Sequence, residues 1–385
     1  MEKLFKLKEH GTDVKTEIIA GITTFLAMAY ILAVNPSYLG GIDGMSAGAV
    51  FSATAISAGI ATLCMAFFAN YPVALASGMG LNAFFAFTVC GAMGYSYKVA
   101  LTAVFIEGII FMLLSLFKFR EALVNKIPSN LKFAITAGIG LFIAIIALLN
   151  ANVVVASEST TVALGELSSP TVVLSLVGLL IIGALQHYKV PGGILLGILI
   201  TWVLGIMAQL VGWYVPNPEA GVYSVIPQFS LSSFEAPKMF QFDFGFIAKN
   251  IPAFILIVFT FLYTDIFDTV GTLIGVAEKG KLLDKDGSLP NATGALMADA
   301  VGTVVGACLG TSTVTSYVES SAGVAAGGRT GLTAVTTAVL FFISLIFAPI
   351  FTSIPSFATT PAMLYVGLLM LSSIRQVKFD GDIAD

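Results

Sequence analysis

The 385-residue chain is 57% hydrophobic, and only 10% of its residues are charged. Its mean hydropathy is +0.96, whereas about 25% of the residues of a soluble domain are charged. This composition excludes a soluble globular protein and predicts a multi-pass protein of the lipid bilayer. The net charge of −4 and the absence of a basic block give no reason to expect a nucleic acid as a partner.

The N-terminal sequence MEKLFKLKEHGTDVKTE is too polar and too long for a secretory leader. We therefore expect residues 1–16 to form a cytoplasmic tail and the apolar run that follows to be a retained first span. Cys64, Cys90 and Cys308 lie in apolar surroundings without the spacing of metal ligands. They are expected to be reduced packing residues, so we predict neither a metal site nor a disulfide.

Apolar stretches long enough to cross a membrane as a helix recur along almost the whole chain. Helices are expected because lipid cannot satisfy open backbone groups. The pattern predicts twelve spans, of which the third and the tenth are short and rich in Gly and Ser. The predicted spans are 17–40, 47–69, 76–91, 99–117, 131–150, 170–186, 192–213, 250–276, 293–309, 314–327, 331–350 and 358–374.

The Lys and Arg residues predict the orientation of the chain in the membrane. With the N-terminus in the cytoplasm, only Lys98, Lys238 and Lys249 of the 18 basic residues lie outside. Cytoplasmic loops carry an excess of Lys and Arg in membrane proteins. The distribution therefore favours both a cytoplasmic N-terminus and the predicted number of spans.

The two short spans share a design. The segments NYPVALASGMGLNAFFAFTV (70–89) and LGTSTVTSYVESSAGVAAGG (309–328) each join an extended stretch of small residues to a brief helical stretch, with Asn82 or Glu319 near the junction. Such interrupted spans at corresponding places in two halves point to a transporter binding site. They lie seven spans apart, and an odd offset inverts the orientation, as an inverted repeat requires. The alternative is that Gly and Ser only allow helices to pack closely.

Acidic residues inside the spans are the main functional candidates, because a charge at mid-membrane costs about 2.5–3.5 kcal/mol. No Lys or Arg lies in the interior of a predicted span to neutralise them, since Lys132 is at the cytoplasmic end of the fifth, so these carboxyl groups are candidate proton carriers. For Glu107 and Asp299 a role in helix packing is the stronger interpretation, and for Asp268 a structural and a functional role are both open. The five candidates are Glu107, Asp265, Asp268, Asp299 and Glu319.

One helical face collects several of these groups. Asp265, Asp268 and Thr272 are spaced i, i+3 and i+7, so they lie on the same side of the eighth span. A carboxylate accepts two parallel N–H bonds, and Asp265 and Glu319 therefore suit a flat solute with adjacent ring donors.

Other side chains near the two junctions can complete such a site. Asn82 offers both a donor and an acceptor. Tyr317 and Phe84 are candidates for stacking on a ring ligand, although most of the 30 Phe residues are expected to face lipid or the protein core.

Four stretches of the sequence carry a resemblance to a known family. They are IAGITTFLAMAYILAVNPS (19–37), GMGLNAFFAF (78–87), YTDIFDTVGT (263–272) and ADAVGTVVGACLGTSTVTSYVESSAGVAAGGRTGL (298–332). At these stretches the chain closely resembles the AzgA-like hypoxanthine/adenine/guanine permeases of the nucleobase/ascorbate transporter superfamily. The longest stretch makes the match highly specific.

The resemblance implies an all-α fold of fourteen spans in two inverted seven-span repeats, arranged as a core domain and a gate domain. It implies that the third and tenth spans are each broken into an extended segment and a half-helix. Family members continue for two more spans that this sequence does not include. The implied regions are core spans 1–4 at 17–117, gate spans 5–7 at 118–213, an external loop at 214–249, core spans 8–11 at 250–350 and the start of the second gate half at 351–385.

The resemblance also implies a function. Bacterial members are inner-membrane proteins that take up hypoxanthine, guanine or adenine, with proton symport as the expected coupling, and a homodimer is the family expectation. No cofactor is expected beside the coupling proton. The family's binding residues correspond to Asn82 with Gly80, Asp265 and Glu319, while Asp268 corresponds to an acid that supports the site.

Three alternatives remain at this point. An anion transporter of the sulfate-permease type shares the inverted-repeat architecture, but carboxylates beside the substrate would repel an anion. A passive channel is the second alternative. The third is an intramembrane aspartyl protease, in which Asp265 would meet Asp299, but the chain has no Gly-x-Gly-Asp stretch. We therefore expect a transporter and not an enzyme.

Overall fold

A computed structural model of the protein describes residues 2–116, 129–157, 160–216, 224–226, 235–284 and 289–377. Most of these residues are helical, which satisfies backbone groups within each segment. The elements in chain order are α1 (Glu2–Phe5), α2 (Val14–Met28), α3 (Ile31–Leu39), α4 (Ala47–Phe68), β1 (Leu75–Ser77), α5 (Met79–Ala83) with a π-helix (Phe84–Ala92), α6 (Tyr97–Leu116), α7 (Ser129–Asn150), β2 (Val154–Ser157), β3 (Thr161–Leu164), α8 (Pro170–His187), α9 (Gly193–Leu210), α10 (Gly245–Lys249), α11 (Ile251–Gly280), α12 (Ala292–Leu309), β4 (Val314–Ser316), α13 (Ser320–Ala325), α14 (Gly331–Ser344), α15 (Ala348–Thr352) and α16 (Ser356–Leu371).

The described part of the chain contains nine helices that are long and apolar enough to cross a membrane. Two shorter apolar helices, Met79–Ala92 and Thr136–Asn150, lie at the predicted third and fifth spans. At the predicted tenth span the chain forms β4 and the six-residue helix α13. The prediction of a helical multi-pass membrane protein with broken third and tenth spans is confirmed. The nine helices are Val14–Leu39, Ala47–Phe68, Tyr97–Leu116, Pro170–His187, Gly193–Leu210, Ile251–Gly280, Ala292–Leu309, Gly331–Thr352 and Ser356–Gln376.

The chain divides into two compact units. The first comprises Met1–Val124 and Ser232–Ala348, and the second comprises Asn125–Leu231 and Pro349–Asp385. Both broken spans belong to the first unit. The roles of core and gate remain predictions for these parts of the chain.

The strands β1 and β4 pair with each other in the interior of the first unit. They are antiparallel, with Leu75 opposite Ser316 and Ser77 opposite Val314. Every residue of both strands is buried. Because extended backbone has no internal hydrogen bonds, a buried strand in a membrane protein needs a partner strand. Each broken span therefore supplies the backbone partner of the other.

Hydroxyl groups from neighbouring helices brace the two strands. Thr62 of α4 accepts from the Leu75 N–H at 2.9 Å and donates to the Leu75 carbonyl at 3.2 Å. Thr303 of α12 donates to the Val314 carbonyl at 2.9 Å. The helix that precedes each broken span thus holds the strand of that span.

Glycines allow helices of the first unit to approach one another closely. A Cβ atom at Gly302 of α12 would lie 2.6 Å from the Ala61 Cβ of α4, and one at Gly323 of α13 would lie 2.0 Å from the Thr24 Oγ1 of α2. Both distances are too short for non-bonded atoms. Small residues at these contacts are what lets helices pack closely within a membrane.

The first predicted span, 17–40, is interrupted. α2 ends at Met28 and α3 begins at Ile31. Between them the backbone bonds follow three-residue spacing, from Leu32 N to Ala29 O at 3.1 Å and from Ala33 N to Tyr30 O at 3.0 Å. The apolar run predicted a first span here, and the break between α2 and α3 was not predicted from the sequence.

The N-terminal tail packs against the first unit. Phe5 and Leu7 are buried in a cluster with Ala66, Leu332 and Ala334. At the end of the tail Asp13 caps α2, because its carboxylate accepts hydrogen bonds from the amides of Lys15 and Thr16. The Thr16 amide bond is the main cause that lowers the pKa of the Asp13 carboxyl.

The second unit contains an antiparallel β2–β3 hairpin, which the sequence analysis did not anticipate. It pairs Val154 with Leu164 and Ser157 with Thr161. Of the predicted external loop 214–249, the structure describes 214–216, 224–226 and 235–249, and the last segment contains α10.

Candidate functional site

The junctions of strand and half-helix define the candidate site. Gly78 is extended, with φ −72° and ψ 125°, and the helix of the third span begins at the next residue. Glu319 immediately precedes α13 in the tenth span. A polar residue therefore follows each strand within a few positions: Asn82 after β1 and Glu319 after β4.

The five predicted intramembrane acids fall into two groups by exposure. Glu107, Asp265 and Asp299 are completely buried. Asp268 is exposed and Glu319 is half-buried. The carboxylates of Asp268 and Glu319 are close enough for their charges to interact, and the Tyr317 phenol interacts electrostatically with both. Asp268 and Glu319 are thus the two of these five acids whose side chains retain exposed surface.

Glu319 is held by a residue from a distant part of the chain. The Tyr30 hydroxyl, at the interruption between α2 and α3, donates to Glu319 Oε1 at 2.6 Å. Tyr30 is buried, with 1% of its surface exposed. This tyrosine was missed by the sequence analysis, although a phenol in the apolar run AMAYILAV is a signal that could have been weighed.

Asp265 and Asp299 meet around one hydroxyl. Thr269 Oγ1 lies 2.8 Å from Asp299 Oδ1, 2.8 Å from Thr315 Oγ1 and 3.4 Å from Asp265 Oδ1. Asp299 Oδ1 also accepts from the Ser316 amide and the Ser316 hydroxyl, both at 3.0 Å. Asp299 therefore ties α12 to β4 and α11. The predicted role of Asp265 as a direct substrate ligand stays a prediction.

Asn82 is fully buried and bonds to its own segment. Its Oδ1 accepts from Ser77 Oγ at 2.9 Å, and its Nδ2 donates to the Ser77 carbonyl at 3.4 Å. Ser77 Oγ also lies 3.3 Å from Thr311 Oγ1. Asn35 of α3 extends this network, since it donates to Thr311 Oγ1 at 2.9 Å. Ser77, Thr311 and Asn35 were not predicted.

The aromatic candidates occupy different positions. Tyr317 is buried, and its hydroxyl donates to the Ser77 carbonyl at 2.5 Å, across the strand pair. The Phe84 ring packs edge-on against Phe261, with the ring centroids 4.9 Å apart. Stacking of either ring on a ligand stays a prediction.

The remaining candidates lie around these groups. Gly80 belongs to the first turn of α5, and Thr272 is buried on α11 one turn beyond Asp268. Thr313 donates to Glu107 Oε2 at 3.5 Å, which links α6 to the residue before β4.

The composition of the site limits its chemistry. Among the described residues no group of three His, Cys, Asp or Glu side chains is arranged to hold a metal ion. The site instead gathers carboxylates, an amide and hydroxyls around two strand ends, which are hydrogen-bonding groups for a polar solute.

Comparisons with known proteins identify the family. A family model with the description "Permease family" (Xan_ur_permease) matches residues 15–381. The chain belongs to this permease family. It is therefore a transporter and not an enzyme, so the expectation against an intramembrane protease is confirmed.

The permease has curated relatives that match along almost its whole length. It is 45% identical to the guanine/hypoxanthine permease PbuO of Bacillus subtilis, over 98% of this chain and 85% of the relative. It is 43% identical to the adenine permease AdeQ of Escherichia coli, over 99% of this chain and 82% of the relative. The resemblance to hypoxanthine/adenine/guanine permeases is thereby confirmed.

Solved structures share the fold of this permease. The transmembrane domain of a cyanobacterial bicarbonate transporter, BicA, has a TM-score of 0.72 at 15% identity and covers 96% of this chain and 91% of that one. Murine Slc26a9, an anion transporter in the inward-facing state, has a TM-score of 0.63 at 10% identity, over 94% and 61%. At such identities the similarity concerns the fold alone. It confirms the predicted fold class.

Proposed function

We propose that this permease imports purine nucleobases by proton symport with alternating access. The observation that carries the proposal is the pair of carboxylates Asp268 of α11 and Glu319 after β4, which retain exposed surface and lie close enough for their charges to interact. Named relatives transport adenine in one case and guanine or hypoxanthine in another. We therefore propose purine bases as the substrate class and do not single out one base.

The site chemistry supports a neutral base with ring N–H groups. Carboxylate oxygens of Glu319 and Asp268 would accept hydrogen bonds from the base, and a hydrogen bond to a charged group contributes about 1.5–3 kcal/mol. Asn82 would add a donor or an acceptor, and Tyr317 or Phe84 would contact the ring face. Asp265 stays a proposed carboxylate ligand of the base, and Thr272 would support the site from α11.

Proton coupling follows from the same groups. Two carboxylates whose charges interact in one site repel each other, so a proton on one of them lowers the electrostatic cost of the loaded site. Asp268 and Glu319 are the proposed carriers. Binding of a base and of a proton would then favour each other, which is the requirement for symport.

Alternating access is proposed from the fold class. In transporters built from inverted repeats, broken spans hold the substrate near the membrane midplane, and the site opens to one side at a time. The anion-transporter alternative rests on the shared fold, but the carboxylates of Asp268 and Glu319 would repel an anion. A passive channel would not need the carboxylates to take up protons.

The test is uptake in cells that lack their own base permeases. Radiolabelled hypoxanthine, guanine, adenine and uracil are supplied with and without a protonophore, and bicarbonate is offered as a competitor. We expect concentrative uptake of at least one purine, collapse with the protonophore and no competition by bicarbonate. Uptake that never exceeds equilibrium would favour a channel, and competition by bicarbonate would favour an anion transporter.

Two variants sharpen this test. Glu319→Ala removes an accessible carboxylate of the site, whereas Glu166→Ala removes an exposed carboxylate at the surface of the second unit. Uptake should vanish in the first and persist in the second. Equal uptake in both would contradict the proposed site.

The location and the partners are proposals of the same kind. The chain is a multi-pass membrane protein, and we propose a bacterial inner-membrane location with a cytoplasmic N-terminus and assembly as a homodimer. Accessibility of a cysteine placed at position 9 to an impermeant thiol reagent would test the orientation.

A further inference from the structure

Tyr30 joins two distant parts of the first unit. Its hydroxyl donates to Glu319 Oε1 over 2.6 Å, although the two residues are 289 positions apart in the chain. Charge-assisted O–H···O⁻ bonds are about 2.5–2.7 Å long and roughly twice as strong as neutral ones. The 2.6 Å distance lies within the range of both neutral and charge-assisted O–H···O bonds, so Glu319 Oε1 is a well-placed acceptor for the phenol.

We propose that Tyr30 is a positioning residue for base recognition, which fixes the Glu319 carboxylate in the orientation that receives an N–H of the purine. The inference rests on the proposed function. A free Glu side chain samples several rotamers, and ordering it on ligand binding costs free energy. A carboxylate already held by Tyr30 avoids that cost, which is the principle of preorganisation.

The break between α2 and α3 contains Tyr30, whose hydroxyl reaches Glu319. α2 ends at Met28, and the tighter turn at Ala29 and Tyr30 separates it from α3. The Tyr30 ring is fully enclosed, so its hydroxyl has little freedom to choose another acceptor. The turn at Ala29 and Tyr30, although far from β4 in the sequence, thus places a hydroxyl group beside Glu319 at the start of α13.

α2 is itself fixed against the segment that carries Glu319. Gly323 of α13 lies so near Thr24 and the Ala20 carbonyl of α2 that a Cβ atom would not fit between them. At the other end of α2, Glu17 accepts from the Arg329 amide at 2.8 Å and from the Thr333 hydroxyl at 2.6 Å. These contacts hold Tyr30 and Glu319 in register, so the hydrogen bond between them is a rigid one.

The same span provides a matched control. Tyr38 of α3 is also buried, at 4% exposure, and its ring packs edge-on against Phe87 with the centroids 5.4 Å apart. Its hydroxyl has no hydrogen-bond partner in the described part of the chain. Tyr38→Phe therefore removes a buried phenol oxygen without removing a protein hydrogen bond, whereas Tyr30→Phe removes the bond to Glu319.

The test is a double-mutant cycle on the 385-residue chain, purified in detergent, with radiolabelled hypoxanthine, guanine and adenine as probes. We expect Tyr30→Phe to weaken binding at least about ten-fold, as the loss of a hydrogen bond to a charged group predicts. Tyr38→Phe should change binding by less than about two-fold. In a Glu319→Gln background, Tyr30→Phe should add less than about two-fold, because the two residues act as a unit.

A second measurement separates positioning from folding. In the uptake assay, Tyr30→Phe should raise KM about ten-fold and leave the maximal rate within about two-fold, since the loss is in ligand binding. A purely structural Tyr30 would lower the amount of folded protein and the maximal rate instead, and that result would overturn the inference.

The outcomes distinguish the inference from the function on which it rests. If the unsubstituted chain neither binds nor takes up a purine, the proposed function fails, and the inference fails with it. If the unsubstituted chain binds a purine and Tyr30→Phe binds it equally well, only the inference fails. If Tyr30→Phe weakens purine binding equally in the otherwise unsubstituted chain and in the Glu319→Gln background, the inference is also overturned.

Discussion

The two broken spans have the same backbone arrangement but secure their polar residue in different ways. Asn82 of the third span bonds to Ser77, five residues earlier in the same segment. Glu319 of the tenth span is held by Tyr30 of the first span. The third-span site is thus neutral and locally satisfied, whereas the tenth-span site is charged and depends on distant contacts.

The strands that precede these residues differ in the same sense. In β1, Thr62 bonds to the Leu75 backbone, and the Tyr317 hydroxyl and the Asn82 amide donate to the Ser77 carbonyl. β4 is held by the Thr303 hydroxyl and, in addition, by the Asp299 carboxylate. The comparison teaches that hydroxyl and amide groups hold the strand before Asn82, whereas a buried carboxylate also holds the strand before Glu319.

The largest expected effect is on transport. Glu319→Ala should reduce purine uptake at least about 100-fold, because it removes both a charged hydrogen-bond acceptor and a proposed proton carrier. Asn82→Ala should reduce uptake only about ten-fold, as expected for a neutral hydrogen bond of about 1 kcal/mol with some loss of local order. Uptake at equal surface expression is the measurement. Equal losses in the two variants would break the comparison.

The next effect is on stability at β4. Asp299→Ala should destabilise the chain by about 2–4 kcal/mol, because the buried Ser316 amide and the Thr269 hydroxyl lose their acceptor. Asp299→Asn keeps an acceptor oxygen and should lose less. Thermal unfolding of the purified variants measures both. If Asp299→Asn is as unstable as Asp299→Ala, the charge and not the acceptor stabilises β4.

A comparable loss is expected at the start of α14. The Glu17 carboxylate is fully buried and accepts from the backbone amides of Arg329, Thr330 and Thr333. Glu17→Ala should cost about 2–4 kcal/mol, because these donors lose their buried acceptor. Glu9→Ala, which removes an exposed partner of Lys6, should cost less than about 1 kcal/mol. If the Glu17→Ala and Glu9→Ala variants unfold at the same temperature, this account is contradicted.

The smallest expected difference compares the two bracing hydroxyls. Thr62→Val removes two hydrogen bonds to β1 and should cost about 1–2 kcal/mol, whereas Thr303→Val removes one bond to β4 and should cost about 1 kcal/mol. Thr260→Val, whose hydroxyl bonds only within its own helix, serves as the reference in the melting experiment. The opposite order of Thr62→Val and Thr303→Val would show that Asp299 does not share the support of β4.

Much of the fold could be predicted because the membrane restricts it. Long apolar runs form helices since lipid offers no partner for backbone groups, and the Gly- and Ser-rich third and tenth spans could be recognised as broken. The interruption at Tyr30 could not be predicted, because the stretch AMAYILAV contains neither Gly nor Pro. The β2–β3 hairpin was missed for a different reason, since it lies outside the apolar runs on which the prediction was based.

The site was predictable in its carboxylates but not in its partners. An acid in an apolar span is conspicuous, and Asp265, Asp268, Asp299 and Glu319 were identified in this way. Their division into buried and accessible groups depends on the packing of α11 and α12 around β4, which residue spacing does not reveal. Tyr30 bonds to Glu319 only in three dimensions, since 289 residues separate them.

The most direct test of the central claim is an electron cryo-microscopy structure of the purified chain with a transported purine bound. The account predicts density for the base at the ends of β1 and β4, with a ring or amino N–H about 3 Å from a Glu319 carboxylate oxygen and with the Tyr30 hydroxyl still bonded to the other side of that carboxylate group. A base bound elsewhere in the chain, with Glu319 out of hydrogen-bonding reach, would contradict it.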